Sequence, residues 1–434
     1  MNIALLGYNI ENASVYDFLK STHTEANFTV YDQADSPARD LPEGVDFVGG
    51  LDSFMEVEAD LVIRSPGVSP HKINPAVKVT TATQLFFENS PTSNIIGVTG
   101  SKGKGTTCSL IASIMRAGGH KTHLVGNIGQ PALGEINNIT PGDVVVYELS
   151  SFQLWDLTIS PRTAVILMIE PDHLDVHADM NEYVGAKSHI TAYQSSDDRL
   201  VYQSRNSLTS AIAAASVASK VPVSSPEGVD VRDGYFWYHE QKLCSTSHVK
   251  LQGSHNLDNA AAAIAACWSL VSEPAILGAG LEAFAGLDHR LKQVGAVGDV
   301  DYYDDSIATT PGSAIASIKS FDQPKILIVG GSDKGADYQP LAEVIADTKS
   351  VKLVITIGAN GNAIADVLAQ AGLDERVSRQ SDLSSMDSIV ELASQSADAG
   401  DVVILSPAAA SFDMFKSYKD RGDQFIAAVN NLER

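Results

Sequence analysis

The sequence predicts an α/β fold of three domains, and three observations support this class. Short apolar runs typical of buried strands alternate with segments of helical length along the chain. A glycine-rich turn follows one such run and precedes a helix-compatible segment. The 434 residues, 44% of them hydrophobic, are enough for about three ordinary domains, each with its own core.

Each predicted domain contains short strands that are expected to pair in parallel. The first domain is expected over residues 1–91, with strands at 3–6, 28–31 and 61–63. The second is expected over 92–291, with strands at 94–98, 144–149 and 164–169 and helices at 106–117 and 259–270. The third is expected over 292–434, with strands at 325–329, 353–357 and 402–405.

The glycine-rich turn has the composition of a phosphate-binding loop. Gly100 and Gly103 would let backbone N–H groups converge on phosphate oxygens at a helix N-terminus, and Lys104 would reach the outer phosphates. The turn departs from the GxxxxGK[ST] pattern, because Val98 takes the place of its first glycine and Gly105 that of its metal-binding hydroxyl. A nucleoside triphosphate site is the functional interpretation, and a tight strand-to-helix turn is the alternative.

Composition restricts the class of protein further. The net charge of −23 opposes nucleic-acid binding, so local lysines, glycine loops and Mg²⁺ must meet any anionic ligand. The three cysteines are odd in number and lack metal-ligand spacing, which fits a reducing compartment. The N-terminus has no basic leader, and no apolar stretch reaches about 18 residues. We expect a cytoplasmic protein that is not inserted in a membrane.

The first predicted strand ends in a loop that only partly matches a dinucleotide-binding GxGxxG loop. Gly7 fits, but Asn9 and Asn12 replace the second and third glycines, which makes close approach of a pyrophosphate less easy. This disfavours NAD. Asp32, after the second strand, is available for a ribose or a base at the carboxyl ends of the strands.

Acidic, histidine and lysine residues stand at or shortly after the predicted strands of the second domain. Glu148 ends an apolar strand, where Mg²⁺ bound to ATP would need an oxygen ligand. His173 and His177 follow the next strand, and taken alone they are expected to cap or hydrogen-bond the following turn. Lys187 shares a helix face with Tyr183, and an ordinary surface lysine is the default interpretation there.

Two asparagines open the alanine-rich helix. Asn256 and Asn259 are three residues apart, and asparagine is a common N-cap residue. Their side-chain amides could equally bind an adenine edge. The sequence pattern leaves both interpretations open.

The order of these segments resembles that of the bacterial Mur ligases, the ATP-dependent amide-forming enzymes of peptidoglycan precursor synthesis. The resemblance extends over all three predicted domains. It rests on six blocks: the TGxxGK turn, 126–131, 148–154, 172–177, the Tyr-x-x-Ala-Lys at 183–187, and 256–259. Within the family, five further blocks resemble the members that add D-glutamate: 65–68, 287–290, 305–309, 330–338 and 406–413. The Asp-Asn-Pro-Arg motif of the relatives that add diaminopimelate or lysine is absent from the sequence.

The resemblance implies an N-terminal Rossmann-like UDP-binding domain, a central P-loop ATP-binding domain with a parallel sheet, and a C-terminal Rossmann-like domain that binds glutamate. It implies that ATP phosphorylates the alanine carboxylate of UDP-N-acetylmuramoyl-L-alanine to an acyl phosphate. The amine of D-glutamate would then displace phosphate. A monomer with two Mg²⁺ ions is expected, with catalysis mainly by positioning and charge neutralisation.

The same resemblance implies a role for each site residue. Lys104, His173 and Lys187 would be catalytic, with Lys104 on the outer phosphates. Glu148 would bind one Mg²⁺, while His173 and a carbamylated Lys187 would serve the second. The other contacts would be Gly100, Gly103 and Thr106 at the phosphates, Asn256, Asn259, Arg290 and Asp305 at the adenosine, Asp32 and Ser65 at the UDP, Asn127 and Ser151 at the muramoyl-alanine part, and Lys334, Thr309, Ser411 and Phe412 at glutamate.

Several positions depart from the family pattern. Gly105 leaves Thr106 or a water to replace the hydroxyl ligand of Mg²⁺. Ile307 stands where many members have lysine, Met168 where asparagine is frequent, and Ala409 where cysteine is frequent. All of the catalytic and metal residues are retained, so activity is expected.

Two other functions stay open at this point. One is a ligase of the same superfamily with another acceptor, either L-glutamate or a folylpolyglutamate-type substrate. The block 411–413 argues against folate but does not settle the chirality of glutamate. The other is a nucleotide-gated binding protein that keeps the glycine turn without turnover, which the retention of both ends of the metal site disfavours.

Overall fold

The computed structural model describes residues 1–37, 39–251, 253–332, 335–383 and 385–432. The chain forms two compact units, Met1–Phe284 and Ala285–Arg434. The described residues build three sheets, two in the first unit and one in the second. These three sheets, all largely parallel and accompanied by helices, confirm the predicted α/β class. The domain limits drawn from the sequence stay predictions.

The first sheet is entirely parallel. Its strands are β1 Asn2–Leu6, β2 Asn27–Asp32, β3 Asp46–Gly49, β4 Leu61–Arg64 and β5 Val79–Thr81, and its helices are α1 Ile10–Thr22 and α2 Ala82–Asn89. The strand order is β3-β2-β1-β4-β5. Alternate residues of β1 enter two separate cores, Ile3 and Leu5 on one face and Ala4 and Leu6 on the other, so both faces of the sheet are covered.

The second sheet has nine strands. They are β6 Ile95–Thr99, β7 Thr122–Gly126, β8 Val144–Glu148, β9 Thr163–Ile166, β10 Arg199–Gln203, β11 Ser219–Val223, β12 Val229–Arg232, β13 Tyr235–Tyr238 and β14 Gln241–Ser245. The helices are α3 Lys104–Ala117, α4 Ala132–Glu135, α5 Ser151–Leu154, α6 Met180–Ala192, α7 Ser207–Ala215, α8 His255–Cys267 and α9 Pro274–Ala283. The order is β14-β13-β12-β11-β10-β9-β6-β8-β7, parallel except where β12, β13 and β14 pair with one another. One hydrophobic core includes residues of both the first and the second sheet.

The third sheet forms the second unit. Its strands are β15 Lys292–Val297, β16 Val300–Asp304, β17 Lys325–Gly330, β18 Val351–Ile357, β19 Val377–Arg379 and β20 Val402–Leu405, and its helices are α10 Pro311–Ile318, α11 Gln339–Asp347, α12 Gly361–Gln370, α13 Met386–Gln395 and α14 Tyr418–Leu432. The order is β15-β16-β20-β17-β18-β19, and only β15 is antiparallel to its neighbour. The carboxyl ends of β16, β20 and β17 therefore lie side by side, where open α/β sheets bind ligands.

Several elements of the second sheet and its helices differ from the sequence prediction. The strand predicted at 164–169 ends at Ile166, because the following backbone turns to accept hydrogen bonds from Ser101. The helix predicted at 259–270 runs from His255 to Cys267. The antiparallel strands β12 and β13 were not predicted, although the Asp233–Gly234 turn between them is a strong hairpin signal. Among the described helices, none combines the length and apolar character needed to cross a bilayer.

Candidate active site

The loop between β6 and α3 has the backbone that a phosphate site requires. Gly100 and Gly103 adopt φ values of +151° and +85°, a region that favours glycine. A Cβ on Gly100 would lie 2.7 Å from the Cβ of Leu167, and one on Gly103 would overlap the Asn259 amide oxygen. Both positions therefore need glycine for conformation and for space. Helix α3 begins directly after the loop, at Lys104, which confirms the predicted strand–turn–helix arrangement.

Ser101 fixes this loop against the segment that follows β9. Its backbone N–H donates to the carbonyl of Met168 at 2.9 Å, and its hydroxyl donates to the carbonyl of Glu170 at 2.8 Å. The hydroxyl also lies 2.9 Å from the hydroxyl of Tyr183. Because position 168 contributes its carbonyl to the loop, the methionine found there leaves this contact intact.

Two lysines donate to the same carbonyl oxygen of the loop. The ammonium of Lys104 donates to the carbonyls of Gly100 at 3.1 Å and Ser101 at 3.0 Å. The ammonium of Lys187 donates to the Gly100 carbonyl at 2.9 Å and lies 4.6 Å from the centroid of the Tyr183 ring. Two cations this close repel each other unless an anion or a change of protonation relieves them.

Lys187 is a buried residue. It is 1% exposed, so the interpretation as a surface lysine was wrong. Burial, and then the neighbouring charge of Lys104, lower the pKa of Lys187 to about 7. The helical period placed Lys187 and Tyr183 on one face correctly, but that face turns inward toward the loop.

Glu148 ends the strand next to the loop. Strand β8 pairs with β6, and Glu148 is in register with Val98, so the carboxylate lies at the same sheet edge as the glycines. The residue is 9% exposed. Among the described residues, no three His, Cys, Asp or Glu side chains converge as a preformed metal site. A Mg²⁺ ion here would therefore take most of its ligands from phosphate oxygens and water, a coordination that this ion commonly keeps.

His173 and His177 lie in different environments. His173 has a φ of +54°, and its half-exposed ring lies 4.9 Å from the Phe152 ring. His177 is buried, stacks on Phe152 with ring centroids 5.3 Å apart, and has Nε2 3.0 Å from the Ser151 hydroxyl. Burial lowers the pKa of His177, which favours the neutral imidazole. His177 thus orients Ser151, a contact between residues distant in sequence that the turn-capping interpretation missed.

The asparagines at the start of α8 reach the phosphate-binding loop. The Asn259 amide nitrogen donates to Asn256 Oδ1 at 3.0 Å, and the Asn259 oxygen accepts from the Thr107 hydroxyl at 3.3 Å. The same oxygen lies against Gly103. Both side chains are almost completely buried. Helix α8 has Ser254 at its N-cap position, so neither asparagine is the N-cap residue.

A cavity in the first unit joins loops of its two sheets. The residues around it include Asn9 and Glu11 after β1, Pro66 after β4, and Asn127 and Gly129 after β7. Asn127 therefore lies beside the loops that follow the strands of the first sheet. Ser65 is buried beside this wall, with its Cβ 3.4 Å from the position a Cβ on Gly7 would occupy.

The asparagines that replace the GxGxxG glycines stabilise the β1–α1 loop. Asn9 is the N-cap of α1 and accepts from the backbone N–H of Asn12 at 3.0 Å. The buried Asn12 amide donates to the carbonyl of Gly7 at 2.7 Å. Asp32 ends β2, and its carboxylate accepts from the N–H of Ala34 at 3.0 Å, so the structure gives it a turn-forming contact.

In the second unit, a buried carboxylate pair follows β16. Asp304 accepts a hydrogen bond from His289 Nδ1 at 2.6 Å. Asp305 accepts from the hydroxyls of Ser406, at 3.0 Å, and Ser317. Burial raises the pKa of Asp305 to about 6, and the hydrogen bonds from the two serine hydroxyls and from the Leu291 N–H, followed by the positive charge of Arg290, partly oppose this rise. Arg290 and Asp305, both predicted at the adenosine, are therefore electrostatic neighbours.

Three of the four residues predicted at glutamate are described, and they lie in the loops after β16 and β20. Thr309 follows β16, and Ser411, buried, follows β20. The Phe412 side chain is 69% exposed. Lys334, the fourth, lies outside the described residues. These loops belong to adjacent strands, which is the arrangement expected if they share a ligand.

Arg421 is a residue that sequence reasoning missed. It is completely buried, and its guanidinium donates to the Ser306 hydroxyl at 2.9 Å and to the carbonyls of Ala409 and Ala410 at 3.2 and 3.3 Å. It thereby joins the loops after β16 and β20. A lone arginine in an otherwise polar helix start gave no sequence signal for this role.

Comparison with known proteins agrees with this geometry. The Mur ligase middle domain matches residues 98–267, and the Mur ligase glutamate ligase domain matches residues 289–409. UDP-N-acetylmuramoylalanine--D-glutamate ligase of Acetivibrio thermocellus is 36% identical, and the alignment covers 99% of this chain and 96% of that protein. The enzyme of the same name from Clostridium kluyveri is 35% identical over the same shares.

A solved structure supports the same architecture. MurF ligase from Thermotoga maritima in complex with ADP aligns with a TM-score of 0.58 and 14% identity, covering 99% of this chain and 94% of that one. At this level of identity the likeness concerns the fold. The full-length identities above 30%, together with the two matching domains, decide the family. The chain belongs to the Mur ligase family.

Proposed function

We propose that this protein is an ATP-dependent ligase that adds D-glutamate to UDP-N-acetylmuramoyl-L-alanine through an acyl phosphate. The observation that carries the proposal is the glycine loop at the start of α3, because its left-handed backbone, the helix N-terminus and the Lys104 ammonium together form a site for a polyanion. The names of the full-length relatives point to D-glutamate as the acceptor. Magnesium, carbamylation and the individual residue roles are part of the same proposal.

The phosphate-binding loop would hold ATP. Gly100 and Gly103 allow the backbone to approach the phosphates, and Lys104 would neutralise the outer ones. Thr106 follows the Gly105 that replaces the usual hydroxyl and would serve the metal directly or through water. Asn256, Asn259, Arg290 and Asp305 would bind the adenosine.

Metal binding would depend on Glu148, His173 and Lys187. Bound Mg²⁺ supplies charge neutralisation for the phosphates and for the acyl phosphate. Lys187 fits a metal role only as an anion, and addition of CO₂ to its neutral amine, with release of one proton, would form a carbamate whose oxygens carry the negative charge. A pKa of about 7 leaves much of the amine unprotonated near neutral pH, which is the form that can attack CO₂.

The substrates would bind at the loops already described. The cavity lined by Pro66 and Asn127 would hold the UDP-sugar, with Ser65, Asp32 and the His177-oriented Ser151 nearby in the first unit. Glutamate would bind through Thr309, Lys334, Ser411 and Phe412. The lysine ammonium would pair with a glutamate carboxylate by charge, and the serine hydroxyl would donate a hydrogen bond.

The test measures ADP release by the purified protein with ATP, Mg²⁺ and UDP-N-acetylmuramoyl-L-alanine, adding D-glutamate or L-glutamate separately. We expect release with D-glutamate only. Release with L-glutamate alone would favour the alternative acceptor, and release with a folate substrate would favour a folylpolyglutamate-type ligase. Tight ATP binding without ADP release under any condition would indicate a nucleotide-gated binding protein and refute the proposal.

A further inference from the structure

Arg64 is the last residue of β4, and its side chain is completely buried. Its guanidinium donates hydrogen bonds in two directions, to two different segments of the chain. One nitrogen, Nη1, faces the turn 65–68 that follows β4. Nη2 faces helix α5, and Nε and Nη2 both face Asp156, which lies just beyond the end of that helix. Burying a guanidinium is costly unless its donors are satisfied, so an arginine kept here indicates a geometric requirement.

The first direction shapes the turn. Nη1 donates to the carbonyls of Ser65 at 3.2 Å, Pro66 at 3.4 Å and Val68 at 3.0 Å. These three carbonyls converge on one group, which fixes the path of the backbone around it. Pro66 is part of the wall of the cavity described above, and the backbone N–H of Ser65 donates to the carbonyl of Leu6. The guanidinium therefore sets the position of one cavity wall.

The second direction reaches α5. Nη2 and Nε donate to the two carboxylate oxygens of Asp156 at 2.7 and 3.0 Å, and Nη2 also donates to the carbonyl of Phe152 at 2.9 Å. This bidentate pair has the fork geometry that only arginine provides. Helix α5 contains Ser151 and begins three residues after Glu148 at the end of β8. One side chain thus joins the cavity wall to the segment next to the phosphate-binding loop.

We propose that Arg64 is a positioning residue for the UDP-sugar substrate, fixing the 65–68 turn against α5 so that the cavity is preformed for the ligand. The inference rests on the proposed function, which places the UDP-sugar in this cavity. Arg64 acts through the turn backbone and has no role in the chemistry. Its loss should weaken the UDP-sugar selectively, because the phosphate-binding loop is fixed by separate hydrogen bonds from Ser101 and Lys187.

The test compares Arg64→Lys and Asp156→Asn with Arg199→Lys as the matched control. Arg199 is a partly buried arginine in the same unit whose Nη1 donates to the Ala265 carbonyl at 3.2 Å, away from the cavity. Calorimetry measures binding of UDP-N-acetylmuramoyl-L-alanine and, separately, of a non-hydrolysable ATP analogue with Mg²⁺. Circular dichroism and thermal unfolding establish that each variant is folded at the temperature used.

We expect Arg64→Lys to raise the Kd of the UDP-sugar by about tenfold or more, and Asp156→Asn by about threefold or more, since each disrupts the fork. The ATP analogue should bind within about threefold of the wild type, and Arg199→Lys should leave both ligands within about twofold. If Arg64→Lys does not fold, the Kd of the UDP-sugar for Asp156→Asn tests the inference.

Two results would overturn the inference: an unchanged UDP-sugar Kd in a folded Arg64 or Asp156 variant, or equal weakening of both ligands, which is the result of a purely structural role. A wild-type protein that binds the ATP analogue but not the UDP-sugar would instead overturn the proposed function, and this inference with it.

Discussion

Replacing Lys187 by alanine separates the catalytic role proposed for this lysine from its structural role. The change removes hydrogen bonds to the Gly100 carbonyl and to the Thr99 hydroxyl, which lies 3.5 Å away, and leaves space at a 1% exposed position. The loss of these hydrogen bonds and of packing destabilises the protein, while removal of a buried charge partly compensates. The net effect should be a free energy of unfolding lower by about 2 kcal/mol. If Lys187 is a carbamylated metal ligand, turnover should fall by about 10³-fold or more.

The assay combines urea unfolding with ADP release, and Lys325→Ala is the matched control. Lys325 is another completely buried lysine, in the second unit, whose ammonium donates to the Ser350 hydroxyl at 2.6 Å. The control should lose comparable stability and keep turnover within about threefold. Added acetate or formate should restore part of the activity of Lys187→Ala by supplying an anionic oxygen. Turnover within about tenfold of the wild type in folded Lys187→Ala would refute the metal role.

The remaining predictions concern other charged groups. Wild-type activity should fall in CO₂-depleted buffer and recover when bicarbonate is added. The extent of recovery should increase as the pH rises through about 7, because the unprotonated amine of Lys187 is the form that reacts. A recovery that does not depend on pH would contradict this. Lys104→Ala should reduce turnover by about 10³-fold or more, and near-normal activity would remove it from the phosphate site. Lys334→Ala should raise the glutamate KM by about tenfold, roughly 1.4 kcal/mol, with the ATP KM within a few fold, and an unchanged glutamate KM would exclude it from the acceptor site. Burial raises the pKa of Glu11 to about 6. The free energy of unfolding of the wild type should therefore fall by up to about 2 kcal/mol relative to that of Glu11→Gln as the pH rises from 4 through 6. Parallel pH profiles of the two proteins in urea unfolding would contradict this.

The sequence was most informative where local chemistry decides the structure. The strand–turn–helix arrangement around Gly100 and Gly103 was predictable because an apolar run, closely spaced glycines and a helix-compatible segment follow one another in the sequence. The strand 402–405 was located to the residue because all four of its side chains are apolar. Positions at or after strand ends, such as Glu148 and Ser411, could be assigned to a sheet edge because parallel strands end together.

Contacts between segments that are distant in the chain could not be predicted from the sequence. Lys187 was expected on the surface because helical periodicity says which residues share a face, not which way that face points. The contact of His177 with Ser151 and the pairing of Arg64 with Asp156 join residues of different elements. The buried Arg421 likewise joins two loops that meet only because β20 inserts beside β16. Such partners follow from strand order, which no local pattern encodes.

Ligation through an acyl phosphate would transfer one oxygen of the alanine carboxylate to the released phosphate, and isotope labelling can follow that oxygen. UDP-N-acetylmuramoyl-L-alanine carrying ¹⁸O in both oxygens of the alanine carboxylate is incubated with ATP, Mg²⁺, D-glutamate and the protein. A carboxylate oxygen that attacks the γ-phosphorus stays with phosphorus when the amine expels phosphate. The account predicts one ¹⁸O atom in each released phosphate, seen by ³¹P NMR, together with one amide product per ADP. Released phosphate without ¹⁸O, at the same product yield, would contradict it.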